Sequence, residues 1–280
     1  MQDFTGKTAI VTGAGSGIGL GMARAFAAEG MNVVLADVRP AALHTARQQV
    51  EATGVRALAI QLDVSDPTAV AAAAQRAEQT FGKLHVAVNN AGVAMHGTPV
   101  ELVSPQEWDW VTGVNVMGVV NGIRSFVPLI RKHGEGGHVV NTASISGFFV
   151  REGRNQGAYA MTKYAVVALS EALEQEVAKT GIGVSVLCPG AVRTAIFKSA
   201  ATRPDRFGGP YSRPTQETMK TGVIGGGSLD PDDVGRRVVR AIREGTFYLF
   251  THTAERATIQ ARHDRIMAAL DAAEQPATDR

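Results

Sequence analysis

A single cysteine, Cys188, stands in a chain of 280 residues, so no internal disulfide can form and a reducing, cytoplasmic setting is expected. The run Val184-Ser185-Val186-Leu187 before it reads as a buried strand, not as the surroundings of a reactive thiol. One thiol cannot build a thiolate cluster, and the seven histidines show no ligand-like spacing, so no metal is expected. Charge of one sign is also missing. Twenty-eight Lys and Arg against 26 Asp and Glu leave a net charge of +2, with no basic run, which speaks against a nucleic-acid footprint. No apolar stretch reaches the roughly 20 residues of a membrane span. Met1 leads straight into a polar segment without a secretory leader pattern, so no membrane partner is expected. No internal repeat or domain-scale linker interrupts the chain, and 45% hydrophobic residues fit one globular α/β domain over residues 1–280.

What is present is alternation. Strand-like runs at 8–11, 31–36, 57–64, 85–92, 137–144, 183–188 and 247–250 are separated by helix-length segments. Those segments include 67–80, a long one from Pro105 to about His133 carrying Asn115, 158–179, and Pro231 to Glu244. Alternating β and α predicts a doubly wound, seven-stranded parallel sheet with helices on both faces. A Pro- and Gly-rich stretch from about 190 to 229 is long enough to close over a ligand, with Gly222 and Gly225-Gly226-Gly227 as hinges or plain loop. The tail over about 254–273 reads as a polar helix.

Two local signatures carry chemistry. The first is Thr12-Gly13-Ala14-Gly15-Ser16-Gly17-Ile18-Gly19, between an apolar strand and a helix ended by Gly30. Glycines there let the backbone approach a pyrophosphate, and the helix N-terminus offers free N–H groups. An ordinary glycine-rich turn is the plainer reading. The second strand ends in Asp37, about 20 residues past the glycines, which suits a ribose 2′-hydroxyl and repels a 2′-phosphate. A simple cap for the helix opening at Pro40 is the alternative, and Arg39 two residues on would soften the preference. The second signature is Tyr159-Ala-Met-Thr-Lys163. Four residues is one helical turn, so phenol and ammonium share a face, and a nearby ammonium lowers a phenol pKa toward working pH. Alone, such a pair arises by chance in many helices.

Together with Asp63-Val64, Asn89-Asn90-Ala91-Gly92, Asn115, Ser144 and Pro189-Gly190 followed by Thr194, these motifs stand in an order that resembles the short-chain dehydrogenase/reductase family over essentially the whole chain. The resemblance implies a single Rossmann domain. It implies an enzyme that exchanges a hydride between nicotinamide and a secondary alcohol or its ketone. Tyr159 would be the general acid/base, and Lys163 would lower its pKa and hold the nicotinamide ribose. Ser144, and not its neighbour Ser146, would hold the substrate oxygen, and Asn115 would hold a relay water. Gly13, Gly15, Ser16, Gly17, Ile18 and Gly19 would cradle the phosphates, with Asp37 and Arg39 at the adenosine ribose. Asp63 and Val64 would meet the adenine. Asn90, Ala91 and Gly92 would line the adenine-ribose side, with a sheet-bracing role also open for Asn90 and favoured for Asn89. Pro189 and Gly190 would pass beneath the nicotinamide, and Val192 and Thr194 would bind its carboxamide and a phosphate.

The cofactor expected is NAD, since Ser16 and Val38 occupy places where NADP-preferring members usually carry a base. An NADPH-preferring carbonyl reductase with Arg39 as clamp is the alternative. A catalytically silent nucleotide-binding regulator would be expected to lose Tyr159, Lys163 or Ser144. A nucleotide-sugar epimerase or dehydratase would carry a larger C-terminal region. The stretches 113–122 and 203–208 and the unusual C-terminal helix further resemble bacterial Cα-dehydrogenases of lignin-type aryl ethers. That suggests a bulky benzylic alcohol or ketone. Phe148, Phe149, Val150, Met95 and Phe197 are candidates for an apolar substrate wall, and a homodimer or homotetramer is expected.

Overall fold

The computed structural model describes residues 1–211 and 227–274. Seven parallel strands, β1(Thr8–Thr12), β2(Asn32–Asp37), β3(Ala57–Gln61), β4(Val86–Asn89), β5(Gly137–Thr142), β6(Ile182–Cys188) and β7(Tyr248–Phe250), lie in the order β3-β2-β1-β4-β5-β6-β7. The order reverses between β1 and β4, so the crevice at the carboxyl ends of those two strands is where a ligand enters a sheet of this kind.

Sequence alternation explains the layering. Ala9, Val11, Val33, Leu35, Val86 and Val88 face one core cluster. Their neighbours Ile10, Val34, Ala36 and Ala87 face the other. Successive strand residues point to opposite faces, and both faces are covered, which is why these strands read as unbroken apolar runs. The helices α1(Gly17–Ala28), α2(Pro40–Glu51) and α7(Pro231–Glu244) cover the first face. The second is covered by α3(Pro67–Phe81), α5(Gly118–Lys132) and α6(Gly157–Val177). Asp66 caps α3 by accepting from the Thr68 and Ala69 amides, and Ser104 with Glu107 forms a capping box on α4(Pro105–Thr112).

The predicted long helix from Pro105 is continuous, but not uniformly α. Between α4 and α5 the turn Gly113–Met117 is π-helical. By length and composition alone, Pro105–Lys132 would pass for a membrane span, contrary to the sequence expectation that no stretch is long enough. Its packing supplies another reason for that apolarity, because Phe126, Val127 and Ile130 sit in the core cluster beneath the sheet.

The fold also assembles a group that spacing did not reveal. Ligand atoms of His85, His133 and Glu135 lie within 4.8 Å of one another. Their nitrogens are already committed. The Thr8 amide donates to His85 Nδ1 at 3.1 Å, so His85 Nε2 carries the proton toward Glu135. His133 Nε2 faces the Leu84 carbonyl at 2.8 Å, and His133 Nδ1 accepts from the Glu135 amide. These bonds tie the chain entering β4 to the chain entering β5.

The tail helix α8(Arg256–Glu274) has no buried residue and leaves Ile266, Met267 and Leu270 exposed. Gly222, Gly225 and Gly226, considered above as hinges, lie outside the described residues.

Candidate active site

A cavity of about 1130 Å³ opens at the strand-order reversal. Every predicted cofactor and catalytic residue lines it except Gly15 and Asn115. At one end the β1–α1 turn forms a cradle. Gly13 adopts φ +68°, which favours glycine, and a Cβ on Gly19 would sit 2.2 Å from the Gly13 carbonyl oxygen. The α1 N-cap, Ser16, makes no capping bond with its side chain, so the first amides of α1 have no side-chain cap where Ser16, Gly17, Ile18 and Gly19 line the cavity. Uncapped amides, a positive dipole end and a backbone with no room for a Cβ suit a dinucleotide pyrophosphate.

Asp37 closes the cradle. Its carboxylate, 6% exposed, accepts from the Gly15 amide at 2.9 Å and from the Arg39 amide and Nε, each at 3.0 Å. Arg39 Nη2 reaches Ser16 Oγ at 2.8 Å, so the guanidinium is stretched between the acid and the glycine turn. That ion pair raises the Arg39 pKa above its ordinary value.

Asp63 lines the same end, but its side chain is already occupied. Arg206 Nη2 donates to its Oδ2 at 2.5 Å, and Ser65 donates both its amide and its hydroxyl to Oδ1. Burial penalises the Asp63 carboxylate, yet the Ser65 and Arg206 bonds outweigh it and hold the pKa below the ordinary value. The segment after β6 therefore reaches across to β3 and covers the pocket edge.

Asn90 is a brace as much as a lining residue. Its Nδ2 donates to the Thr12 carbonyl at 2.9 Å, while the Asn90 and Ala91 amides both donate to Thr12 Oγ1. Asn89 is structural: its Nδ2 donates to Asn141 Oδ1 at 2.9 Å, within a chain that continues to Ser170.

At the other end stand Ser144, Tyr159 and Lys163. Ser144 follows β5, where the chain turns into a short 3-10 helix (Ile145–Gly147), and Ser144 Oγ accepts from the Ser146 amide at 3.1 Å. Lys163 Nζ, one turn after Tyr159 on α6, donates to the Thr142 carbonyl at 3.0 Å and lies 5.6 Å from the Tyr159 ring centroid. Burial pushes the Lys163 pKa down to about 8. For Tyr159 the balance differs from the sequence expectation. Burial raises the phenol, and the Ser144 hydroxyl beside it pulls only partly the other way. Burial disfavours the phenolate, and the Lys163 ammonium stands no nearer than 5.6 Å from the ring centroid.

Asn115 sits at the centre of the π-helical turn, turned inward. It exchanges both bonds with the Val93 backbone, accepting at 2.8 Å and donating at 3.0 Å, and also donates to Thr162 Oγ1 on α6. A π-turn inserts one extra residue and re-aims a side chain, a device frequent at functional sites. Here it staples the loop after β4 to the helix bearing Tyr159.

Of the five apolar wall candidates, only Phe197 lines the cavity. The 3-10 turn after Ser144 carries Phe148 toward Tyr248 and Phe250 at the sheet edge. Phe149 is buried with Arg151 over its ring, Val150 is exposed, and Met95 packs in a core cluster with Val103, Val111, Ala158 and Tyr159. Trp110, Val114 and Ile196 line the cavity instead. Sequence reasoning also missed His96, whose ring centroid lies 4.9 Å from that of Tyr159 and 5.6 Å from that of Phe197. Its position four residues after Gly92 was the only available signal.

A glycine cradle, a strand-end acid and a Tyr/Lys/Ser cluster facing one crevice define a dinucleotide-binding α/β oxidoreductase. Residues 7–205 match the short chain dehydrogenase family, and the chain belongs to it. It is 32% identical over 269 residues to the C alpha-dehydrogenase of Sphingobium sp. strain SYK-6, covering 95% of this chain and 87% of that one. It is 34% identical to the 1-deoxy-11-beta-hydroxypentalenate dehydrogenase of Streptomyces exfoliatus, over 93% and 88% of the two chains. A short chain dehydrogenase/reductase from Burkholderia phymatum, solved in complex with NAD, superposes with a TM-score of 0.89 at 37% identity, over 100% of this chain and 99% of that one.

Proposed function

We propose that this protein interconverts a secondary alcohol and its ketone with NAD(H), using Tyr159 as general acid/base. The convergence of Ser144, Tyr159 and Lys163 on the cavity that also contains the glycine cradle carries this reading. The nicotinamide supplies the hydride acceptor for oxidation and the donor for reduction. In the oxidising direction Tyr159, ionised, would take the alcohol O–H proton at its phenolic oxygen. In reduction the same phenol returns a proton to the carbonyl oxygen. Ser144 Oγ holds the reacting oxygen. Lys163, 5.6 Å from the Tyr159 ring centroid and bonded to the Thr142 carbonyl, would hold the nicotinamide ribose and would favour the phenolate. Asn115 positions the loop of Gly92 and Val93 and stands at the start of the proton path.

The Asp37–Arg39 pair supports NAD over NADP. The guanidinium that would clamp a 2′-phosphate is held by the acid that would repel it. For the substrate, similarity to the Sphingobium C alpha-dehydrogenase and the aromatic and aliphatic lining by Trp110, Phe197 and Ile196 support a bulky aryl secondary alcohol or ketone. A homo-oligomer fits helix α8, since a 19-residue helix with no buried residue needs packing from another surface and a second copy supplies one.

Initial rates with NAD and NADP against benzylic, alicyclic, steroid-like and short aliphatic secondary alcohols test the proposal. NAD-dependent oxidation of the benzylic members is expected. A preference for NADP would discard the Asp37 argument, and activity confined to another class would discard the aryl assignment.

A further inference from the structure

Charge is distributed unevenly along the cavity. Among the described residues, the only carboxylates lining it are Asp37 and Asp63, both at the cofactor end. Each is already paired, with Arg39 and Arg206 respectively. At the substrate end the lining carries Arg151, Arg154 and Lys198 and no carboxylate. Arg151 is paired with Glu255, and Lys198 is exposed at the rim. Arg154 is partly buried, and among the described residues its side chain has no hydrogen bond, ion pair or ring contact. A guanidinium withdrawn from water without a partner is costly, and that cost falls when an anion occupies the adjoining space.

The loop that holds Arg154 is built rather than slack. Gly97 N–H donates to the Arg154 carbonyl at 3.3 Å and to the Asn155 carbonyl at 3.0 Å, tying this loop to the turn that carries His96. Asn155, at φ +42°, is the only non-glycine residue with positive φ among the described residues, a conformation that costs energy and persists where its surroundings impose it. Next comes Gln156, 4% exposed, whose Nε2 has no partner. Three residues further on stands Tyr159, its ring 4.9 Å from that of His96. This end of the cavity is opposite the pyrophosphate cradle, so an anion beside Arg154 belongs to the substrate and not to the cofactor.

We propose that the substrate is itself an anion: a secondary alcohol or ketone that carries a carboxylate, taken by Arg154 while its reacting oxygen lies at Ser144 and Tyr159. One planar guanidinium fork matches one carboxylate. Arg154 and Lys198, which have no carboxylate partner among the described residues, also draw such a substrate into the cleft. This deepens the dehydrogenase reading and rests on it for the position of the reacting oxygen.

The test compares 3- and 4-acetylbenzoate with their neutral methyl esters, measuring binding to the NADH-loaded protein and turnover separately. Wild type, Arg154→Met and Arg154→Lys are used, and NADH affinity is measured for each variant as a check of folding. A charged hydrogen bond of this kind corresponds to a preference on the order of 10- to 100-fold for at least one acid over its ester. Arg154→Met should collapse that ratio to within about 3-fold, while Arg154→Lys retains part of it. Equal binding of acid and ester by the wild type overturns the proposal. So does a preference that survives Arg154→Met, or no binding of either acid up to millimolar concentration. An Arg154-dependent preference without turnover of any panel member would leave the anion site standing and refute the dehydrogenase reading instead.

Discussion

Replacing Asp37 by alanine should invert cofactor choice, and the size of the effect follows from what its carboxylate holds. In the folded protein that group accepts the Gly15 amide and three donors of Arg39, at 2.9 to 3.2 Å. If Asp37 takes the adenosine ribose as proposed, its loss removes the acceptor for the ribose hydroxyls, a charged hydrogen bond worth about 1.5–3 kcal/mol. At about 1.4 kcal/mol per decade, NAD binding weakens roughly 10- to 100-fold. The same change frees Arg39 and turns a neutral pair into a net positive charge at the 2′ position, a second factor of about the same size for NADP. The ratio of kcat/KM for NADP over NAD should therefore rise by about 10²- to 10⁴-fold. The Gly15 amide loses its partner, so a stability loss of about 1–3 kcal/mol should accompany the switch, visible as a lower Tm. Asp37→Ala/Arg39→Gln should lose the NADP gain but not regain NAD, which separates the two factors in a double-mutant cycle. A ratio within about 3-fold of wild type in Asp37→Ala, with folding intact, would refute the reasoning.

Other expectations follow from single contacts. Gly19→Ala drives a Cβ to 2.2 Å from the Gly13 carbonyl oxygen, backbone that cannot yield cheaply; NADH affinity by fluorescence titration should fall at least about 100-fold, since the amides proposed to receive the pyrophosphate would be displaced. Stability should depend on His138, whose pKa burial pushes from 6.5 down to about 3. Ser185 Oγ donates to the Thr246 carbonyl, so His138 Nε2 is the donor to Ser185, and the ring is held neutral. The folded state then binds fewer protons than the unfolded one. Its stability is full above pH 6.5 and falls toward pH 3 by on the order of 1.4 kcal/mol per unit. Urea melts of His138→Gln across that window should show the slope reduced by about one proton's worth, and an unchanged slope would contradict the assignment. Cys188 is fully buried and its thiol pKa is raised by that burial; a thiol reagent should label it only at the rate of opening, and immediate labelling of native protein would contradict its place inside β6.

Much of this was legible because the information is local. A glycine turn between an apolar strand and a helix, and Tyr159 one turn before Lys163, need only neighbours along the chain to be read. Three features were not, and each for a reason of geometry. The π-turn at Asn115 depends on Val93 and Thr162, 22 and 47 residues away, which pull the side chain inward. Phe148 and Phe149 looked like pocket wall because they follow Ser144, yet beyond the 3-10 turn Phe148 packs against Phe250 and Phe149 lies under Arg151. The ionic state of the cavity was hidden for the same reason. Whether Asp63 is free for an adenine, or Arg154 for a substrate, depends on what Arg206 and Glu255 reach from distant segments. Spacing shows which groups are present, while packing decides which of them remain available.

The acid/base assignment of Tyr159 is tested most directly by following deuterium from a secondary benzylic alcohol labelled at the carbinol carbon into the cofactor, in wild type and Tyr159→Phe. One deuterium is expected in the NADH formed by wild type, and a rate at least about 10³-fold lower in Tyr159→Phe with NADH affinity nearly unchanged. Label absent from the cofactor, or a Tyr159→Phe rate within about 10-fold of wild type, would contradict it.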